Sequence, residues 1–351
     1  MKITVVGGGS WGLALSKVLS VNGHNVLVYD INEKIVKKIN EKHICLQLNE
    51  DIPKDIKATN NIKEAVEYSD VCLFVVPTKV LRIAITEFAQ NITSPKLIIN
   101  GAKGIEPESF LRMSEVFAEI IPEQLLKGFV ALSGPSHAEE VIRGLTTVIA
   151  ASSESMENAQ FVQSLFHNND YFRVYSSTDL KGAELGGALK NIFALASGLI
   201  AGKGLGDNAR AALITRGLIE MRKFYEAYGA NPNSIMGLTG VGDLIVTCTS
   251  EHSRNYQAGF KIGNGKDLEE TLDYIKSDAF ANSVYMSTGY NNRISEGVVH
   301  LYGWGALNIK YKEDDFPFTP DGSTDFTKDR TTTLKVHPYL AVNVSGKQDF
   351  M

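Results

Sequence analysis

Ile3-Thr4-Val5-Val6 runs without a break into Gly7-Gly8-Gly9-Ser10-Trp11-Gly12, and an apolar-periodic stretch follows to about Val21. A buried strand, a glycine turn and a helix in that order leave few folds open. Gly7 permits the tight turn, Gly9 lets a pyrophosphate approach the backbone, and Gly12 lets helix and strand pack closely while the helix amino terminus faces the phosphates. A glycine-rich turn with no ligand is the competing reading, and the next residues decide between the two. Asn22-Gly23 stops the helix, and Asn25-Val26-Leu27-Val28-Tyr29-Asp30 supplies a second strand that ends in an acid where a ribose-binding carboxylate belongs. The start of the chain therefore reads as a Rossmann dinucleotide site. Asp30 can accept from the adenosine ribose hydroxyls and repels a 2′-phosphate, and Ile31 and Asn32 bring no compensating cation. NAD is expected over NADP on that ground. Two readings oppose it: Lys34 or a loop lysine reaching round, or an acid that only caps a helix.

The alternation continues. A helix is expected from Lys34 to Glu41, and strands at Ile56-Lys57-Ala58, Val71 to Val76, Leu97 to Asn100, Phe129 to Leu132, Thr147 to Ala150 and Tyr171 to Tyr175. Strands separated by helices predict a parallel, doubly wound α/β sheet. Pro77 ends one strand and directs a loop, Thr78 to Leu81, off the carboxyl edge, where ligands collect in such sheets. Lys103 follows another strand between glycines; a solvated loop residue and a ligand contact are equal readings of it. The turn Ser133-Gly134-Pro135-Ser136-His137-Ala138 exposes backbone donors to a cofactor or phosphate. No Ser or Asp partner for His137 is evident, and it reads as a surface histidine.

From Asp179 the period changes to helical, which places a boundary between a dinucleotide domain, residues 1–178, and a helical substrate domain, residues 179–275. Leu185, Leu189, Ile192, Phe193, Ala196, Leu199 and Ile200 form a buried stripe with one charge, Lys190, in its middle. Such a lysine either snorkels to water or lies in a polar cavity, where desolvation favours its neutral, proton-accepting form. Gly186 and Gly187, one turn upstream, leave room for a ligand or a second backbone. Asp207 is expected to cap a helix from Ala209 to Tyr228, with Gly229 as its stop. Asp243 emerges from a glycine-rich bend ahead of an apolar turn, which buries a carboxylate that then needs a partner, and Lys190 is the obvious candidate. Arg254 offers a donor fork suited to phosphate, with Ser253 and Asn255 as neutral helpers; a surface arginine at a helix start is the ordinary alternative.

At 351 residues and 44% hydrophobic content the chain has material for two packed domains. A net charge of -5 gives no electrostatic reason to expect nucleic acid, so an anionic ligand must be held by particular residues. Cys45, Cys72 and Cys248 are widely spaced and fit neither a disulfide framework nor a zinc site, and no metal cluster is expected. A reducing cytoplasm is the expected setting. Glycines 7 to 9 break the amino-terminal apolar run too early for a signal peptide, and no window is expected to span a membrane.

Taken together, Gly-Gly-Gly-Ser-Trp-Gly at 7 to 12, Lys103-Gly104-Ile105-Glu106, Leu132-Ser133-Gly134-Pro135-Ser136, Glu184 to Asn191, Gly206 to Ala212, and Gly242-Asp243-Leu244 with Ser253-Arg254-Asn255 resemble bacterial NAD(P)-dependent glycerol-3-phosphate dehydrogenase. The resemblance runs from Lys2 to about Tyr274. It implies reversible reduction of dihydroxyacetone phosphate to sn-glycerol 3-phosphate, the backbone donor for phospholipid synthesis, and a homodimer. It further implies that Lys190 is the catalytic lysine and that Lys103 binds substrate and cofactor and polarises the carbonyl. Asp243 would orient Lys190, with Thr247 nearby. Gly134, Ser136, Ser253, Arg254 and Asn255 would contact the substrate; Ser10, Trp11, Ala138 and Arg254 would contact the cofactor.

Residues 276–351 do not share the resemblance. They are rich in Gly, Asp, Thr and Tyr, lack helical period, and contain the loop chemistry of Asp314 to Gly322; a poorly ordered tail is expected. The triplet Glu296-Gly297-Val298 resembles a family segment near the cofactor but falls too far downstream. Two other functions compete: a hydroxy-acid dehydrogenase of similar architecture, which has no need of Arg254 and Asn255, and a nucleotide-binding relative disabled by its altered end.

Overall fold

The computed structural model describes residues 1–107, 109–266 and 271, and the backbone of 285–286, 297–302, 306–311, 331–336 and 340–345. β1 (Lys2–Val6) enters the glycine turn, α1 (Ser10–Val21) leaves it, and β2 (Asn25–Tyr29) and α2 (Glu33–Lys42) follow. A hairpin of β3 (Ile44–Cys45) and β4 (Glu50–Asp51) precedes β5 (Lys57–Thr59), α3 (Ile62–Tyr68), β6 (Val71–Phe74), α4 (Thr78–Ala89), β7 (Lys96–Asn100) and α5 (Met113–Ile120). Then come β8 (Leu126–Ser133), α6 (Ala138–Ile142), β9 (Thr147–Ser152), α7 (Met156–Phe166) and β10 (Phe172–Ser177).

The eight longer-range strands form one sheet in the order β10-β9-β8-β7-β6-β1-β2-β5. β1 lies between β2 and β6, parallel to both, so the chain winds outward in opposite directions on its two sides and leaves a crevice beyond the carboxyl ends of β1 and β6. The continuous apolar runs in these strands follow from burial on both faces. Ile3, Val5, Leu73 and Ile99 pack on one side with Leu13, Leu15 and Val18 of α1, whereas Val6, Phe74 and Ile98 pack on the other with Phe88 and Phe117. Phe74 meets both phenylalanines edge-on, at 5.0 and 4.9 Å between centroids.

The sheet is mixed, which corrects the all-parallel expectation. β9 pairs antiparallel with β8, and β10 runs parallel to β9. A parallel neighbour needs a crossover of a dozen or more residues, usually carrying a full helix. The segment between Ser133 and Thr147 carries only the short α6, and the chain turns back on the strand it has just left. A second correction concerns Thr78 to Leu81, which is the first turn of α4 and not a loop: Pro77, with φ −56°, is already set for a helix start.

The helical part starts at α8 (Leu180–Gly202), whose first turn is capped by the Asp179 carboxylate accepting from the Gly182 amide. Glu184 anchors it to the sheet domain. This buried carboxylate accepts from Arg112 Nη1 at 2.7 Å and from the amide and hydroxyl of Ser114 at 2.8 and 2.7 Å. Next come α9 (Gly206–Ala227), a single π turn (Leu238–Gly242), α10 (Asp243–Thr249) and α11 (Arg254–Gly263). A Cβ on Gly198 would stand 1.9 Å from Tyr256 O, and one on Gly259 2.0 Å from Leu195 O, so α8 and α11 pack backbone to backbone. By length and composition alone α8 is long and apolar enough to cross a bilayer, contrary to the expectation that no window is. It is mostly buried between α9, α10 and α11, as a helix that is apolar nearly all round must be inside a folded chain. Asp207 is not the expected cap: it lies inside the first turn of α9, which begins at Gly206, and pairs with Arg210.

Residues 284–351 form a separate compact unit. Its described strands, β11 (Tyr285–Met286), β12 (Gly297–Tyr302), β13 (Ala306–Tyr311), β14 (Thr331–Val336) and β15 (Leu340–Ser345), make an antiparallel sheet in chain order. Glu296 and the loop segment 314–322 lie outside the described residues, as does most of the tail expected to be poorly ordered.

Candidate active site

The crevice at the switch point is shaped first by what the glycine turn lacks. Gly7 has φ +114°, and a Cβ on Gly12 would stand 1.9 Å from Gly7 O, so α1 can start this close to β1 only with glycine at 12. A Cβ on Gly9 would meet nothing within 4 Å, so the open side of the turn faces the crevice. Gly9 is the N-cap of α1 and offers no side chain to its first turn, which leaves that end of the helix, starting with Ser10, to an anion. Trp11 Nε1 donates to Gly101 O at 3.1 Å and ties the turn to the loop that carries Lys103. Asp30 accepts from the Gly8 amide at 2.7 Å and from the Asn32 amide at 2.8 Å, which fixes its carboxylate beside the turn. Asn32, not Asp30, caps α2, its side chain accepting from the Lys34 amide.

Beyond the turn, a cleft of ≈ 180 Å³ is bounded by Trp11, Val76, Thr78, Lys103, Ser136, Ala138, Lys190 and Asn191. At its inner end two lysines converge on one carboxylate. Lys190 Nζ donates to Asp243 Oδ1 at 2.6 Å, and Lys103 Nζ donates to Asp243 Oδ2 at 2.8 Å. Lys103 also donates to Gly134 O at 2.6 Å and to Ser136 Oγ at 3.3 Å, and Ser136 donates to the same carbonyl at 2.9 Å. Gly134 can turn its carbonyl inward because it holds φ +141°, where a Cβ would also stand 3.0 Å from Ile149 Cα. Asp243 is 1% exposed, Lys190 9% and Lys103 17% by side chain.

Burial acts on these charges in opposite ways. It disfavours the Lys190 ammonium, and although Asp243 pulls the other way, the nearby Lys103 adds to the lowering; Lys190 falls to about 8. Burial alone would push the Asp243 carboxyl up, but Lys103 and Lys190 outweigh it and hold the group below its ordinary value. The result is a carboxylate held in its charged form, a second lysine at the cleft edge, and a Lys190 that gains and loses its proton at about pH 8.

The two glycines before Lys190 differ. A Cβ on Gly186 would lie 2.1 Å from Thr239 O, so this position admits the backbone of the π turn that leads to Asp243. Gly187 faces Lys103 and Ser133 at ordinary contact distance and keeps the lysine side of α8 open. Thr247, one turn into α10, donates its hydroxyl back to Asp243 O at 2.5 Å. Asn255 Nδ2 donates to Asn191 Oδ1 at 2.9 Å, joining the start of α11 to the residue after Lys190. Sequence reasoning gave Asn191 no role, although its place beside a buried lysine was a usable signal. Ser253 Oγ serves as the N-cap of α11, accepting from the Tyr256 amide at 3.3 Å, and Arg254 is the first residue of that helix. His137 departs from its reading as a surface residue: the ring is half-buried, Nε2 is buried and has no hydrogen-bond partner among the described residues, and the ring of His252 stands 5.7 Å away. Packing of the turn against the bend before Asp243, with Gly242 beside Pro135, encloses this part of the chain. Among the described residues no three His, Cys, Asp or Glu side chains gather as a metal site, and Cys45, Cys72 and Cys248 are free and buried.

Positive φ at Gly7, the open face of Gly9 and the uncapped start of α1 fit a dinucleotide phosphate, and the Asp30 carboxylate fits a sugar hydroxyl. Residues 2–159 match the family model described as NAD-dependent glycerol-3-phosphate dehydrogenase N-terminus, and residues 179–300 match the corresponding C-terminus. The second match continues past residue 275, where the motif resemblance ends. The NAD(P)+ glycerol-3-phosphate dehydrogenase of Staphylococcus haemolyticus is 49% identical over 290 residues, 81% of this chain and 87% of that protein. Its counterpart in Staphylococcus carnosus is 48% identical over 320 residues, 91% of each. The crystal structure of glycerol-3-phosphate dehydrogenase from Coxiella burnetii is similar with a TM-score of 0.73 at 34% identity, covering 78% of this chain and 83% of that one.

Proposed function

This chain belongs to the NAD-dependent glycerol-3-phosphate dehydrogenase family, and from that premise we propose that it interconverts dihydroxyacetone phosphate and sn-glycerol 3-phosphate with NAD or NADP. The observation that carries the reading is the buried Lys190–Asp243–Lys103 cluster at the inner end of a cleft that opens beside a dinucleotide turn. The bound cofactor supplies hydride to the substrate C2, or takes it in the reverse direction. Lys190 moves the proton. As an ammonium it gives a proton to the oxygen at C2 when the ketone is reduced, and as a neutral amine it takes one from the hydroxyl when the alcohol is oxidised. Asp243 holds Lys190 at that oxygen, and Lys103 offers a second cation to the charge that develops there. Gly134 and Ser136 position Lys103, while Thr247 and the Asn191–Asn255 bridge position the helices behind the cluster.

Arg254 and Asn255 are assigned to the substrate phosphate, with Ser253 setting the start of their helix; Arg254 also reaches the cofactor. Ser10, Trp11, Lys103 and Ala138 line the cofactor path, and Asp30 takes the adenosine ribose, which favours NAD over NADP. In this division residues 1–178 hold the dinucleotide and 179–275 complete the substrate site. We infer a cytoplasmic homodimer from the family alone.

Initial rates with the full chain test this. Oxidation of NADH is expected with dihydroxyacetone phosphate and not with a carboxylate ketone such as pyruvate, and NADPH is expected to be the poorer cofactor. Turnover of the carboxylate ketone in preference would favour a hydroxy-acid dehydrogenase, and cofactor binding without turnover of either would favour a disabled relative.

A further inference from the structure

His137 stands out from the groups the mechanism uses. It is the N-cap residue of α6, with extended backbone at φ −79° and ψ 129°, yet its side chain makes no cap hydrogen bond. The ring lies half-buried instead, and Nε2 has no hydrogen-bond partner among the described residues although that atom is buried. A buried polar nitrogen left without a partner is disfavoured and calls for a specific use. The surroundings indicate which use. His137 directly follows Ser136, the hydroxyl that Lys103 meets, and its ring adjoins that of His252, which stands immediately ahead of Ser253, Arg254 and Asn255. His137 thus lies between the lysine cluster and the start of α11. Lys190, Lys103, Glu139 and His252 are the charged and titratable groups acting on it; burial first, then Lys190, keeps it below the ordinary histidine range. The imidazole is therefore neutral near pH 7, with one N–H to donate.

We propose that His137 is a further substrate-binding residue of this site, its Nε2 donating to an oxygen of the substrate's phosphate group. This rests on the phosphorylated-substrate reading above. The carbonyl end already has Lys190 and Lys103, which share Asp243. A phosphate dianion presents several acceptor oxygens and needs donors from more than one side. Arg254 and Asn255, assigned to the phosphate above, stand at the start of α11, and His137 supplies a donor from the sheet domain, so that the phosphate is gripped from both parts of the site.

The test uses His137→Phe in the full chain. Phenylalanine keeps the ring volume and removes the nitrogen, and replacing a buried unpartnered polar atom by an apolar one is neutral or stabilising. The proposal predicts an unchanged or higher melting temperature and unchanged NADH affinity. KM for dihydroxyacetone phosphate should rise about tenfold, and the inhibition constant for inorganic phosphate should rise by the same factor, while kcat changes little. Unchanged KM and phosphate inhibition would overturn it, as would a fall in melting temperature with all kinetic constants moving together, the mark of a structural role. If the wild-type chain shows no turnover of dihydroxyacetone phosphate, the activity itself fails and the proposal falls with it; an active wild type with an indifferent variant refutes His137 alone.

Discussion

The glycine turn and the lysine cluster solve different problems with opposite materials. The turn is local: Gly7, Gly9, Gly12 and Asp30 lie within one strand-helix-strand unit, and it works by omitting side chains so that backbone can meet a phosphate. The cluster is assembled at long range, with Lys103 and Asp243 separated by 140 positions and Lys190 and Asp243 by 53, and it works by burying Asp243 and Lys190 against each other with Lys103 at the cleft edge. Binding a dinucleotide asks for shape and backbone donors. Moving a proton, the role proposed for Lys190, asks for a lysine poised between its two states; burial and the neighbouring Lys103 lower Lys190 while Asp243 opposes them, leaving it at about 8.

The sharpest way to break this contrast is Asp243→Ala. It leaves two lysines without their shared anion, so turnover should fall at least about a hundredfold and unfolding free energy by about 3 kcal/mol, while NADH binding, measured by fluorescence titration, should persist in the folded fraction. Gly12→Ala attacks the other region. Its Cβ would collide with Gly7 O and push α1 off β1, so NADH affinity should fall at least about tenfold and stability by about 1–3 kcal/mol, with kcat at saturating cofactor less affected. The smallest expected effect comes from pH. With Lys190 as the proposed proton acceptor, alcohol oxidation should speed up as pH passes about 8, and ketone reduction, for which the ammonium is the proposed donor, should slow over the same range. The linked stability has a definite sign. Between about pH 8 and the ordinary lysine range the unfolded chain holds more protons than the folded one, so the Lys190 contribution to stability rises with pH there. Denaturant titrations of the wild type and Lys190→Met across that window would show it.

What could be read from sequence divides along the same line. The turn, the strands around it and the buried helix through Lys190 announce themselves because each depends on neighbours in the chain. Asp243 was readable as an acid in need of a partner, and Lys190 as a candidate, but no local pattern brings α10 onto α8; that depends on Gly186 admitting Thr239. The antiparallel turn into β9 was hidden because its connection is long enough for either direction. His137 was misread for a related reason: its missing partner pointed to the surface, whereas burial depends on how the turn packs against the bend before Asp243. Glu184, buried near the start of an apolar helix, carried no sign that Arg112 and Ser114 would meet it.

The central claim is that Lys190, held by Asp243, is the proton donor and acceptor. Its most direct test is NADH oxidation by the full chain with dihydroxyacetone phosphate, run beside Lys190→Ala with NADH binding measured in both. We expect kcat to drop by about 10²–10⁴ in the variant with cofactor affinity retained. A variant that binds NADH and turns over within a few-fold of wild type would contradict the claim.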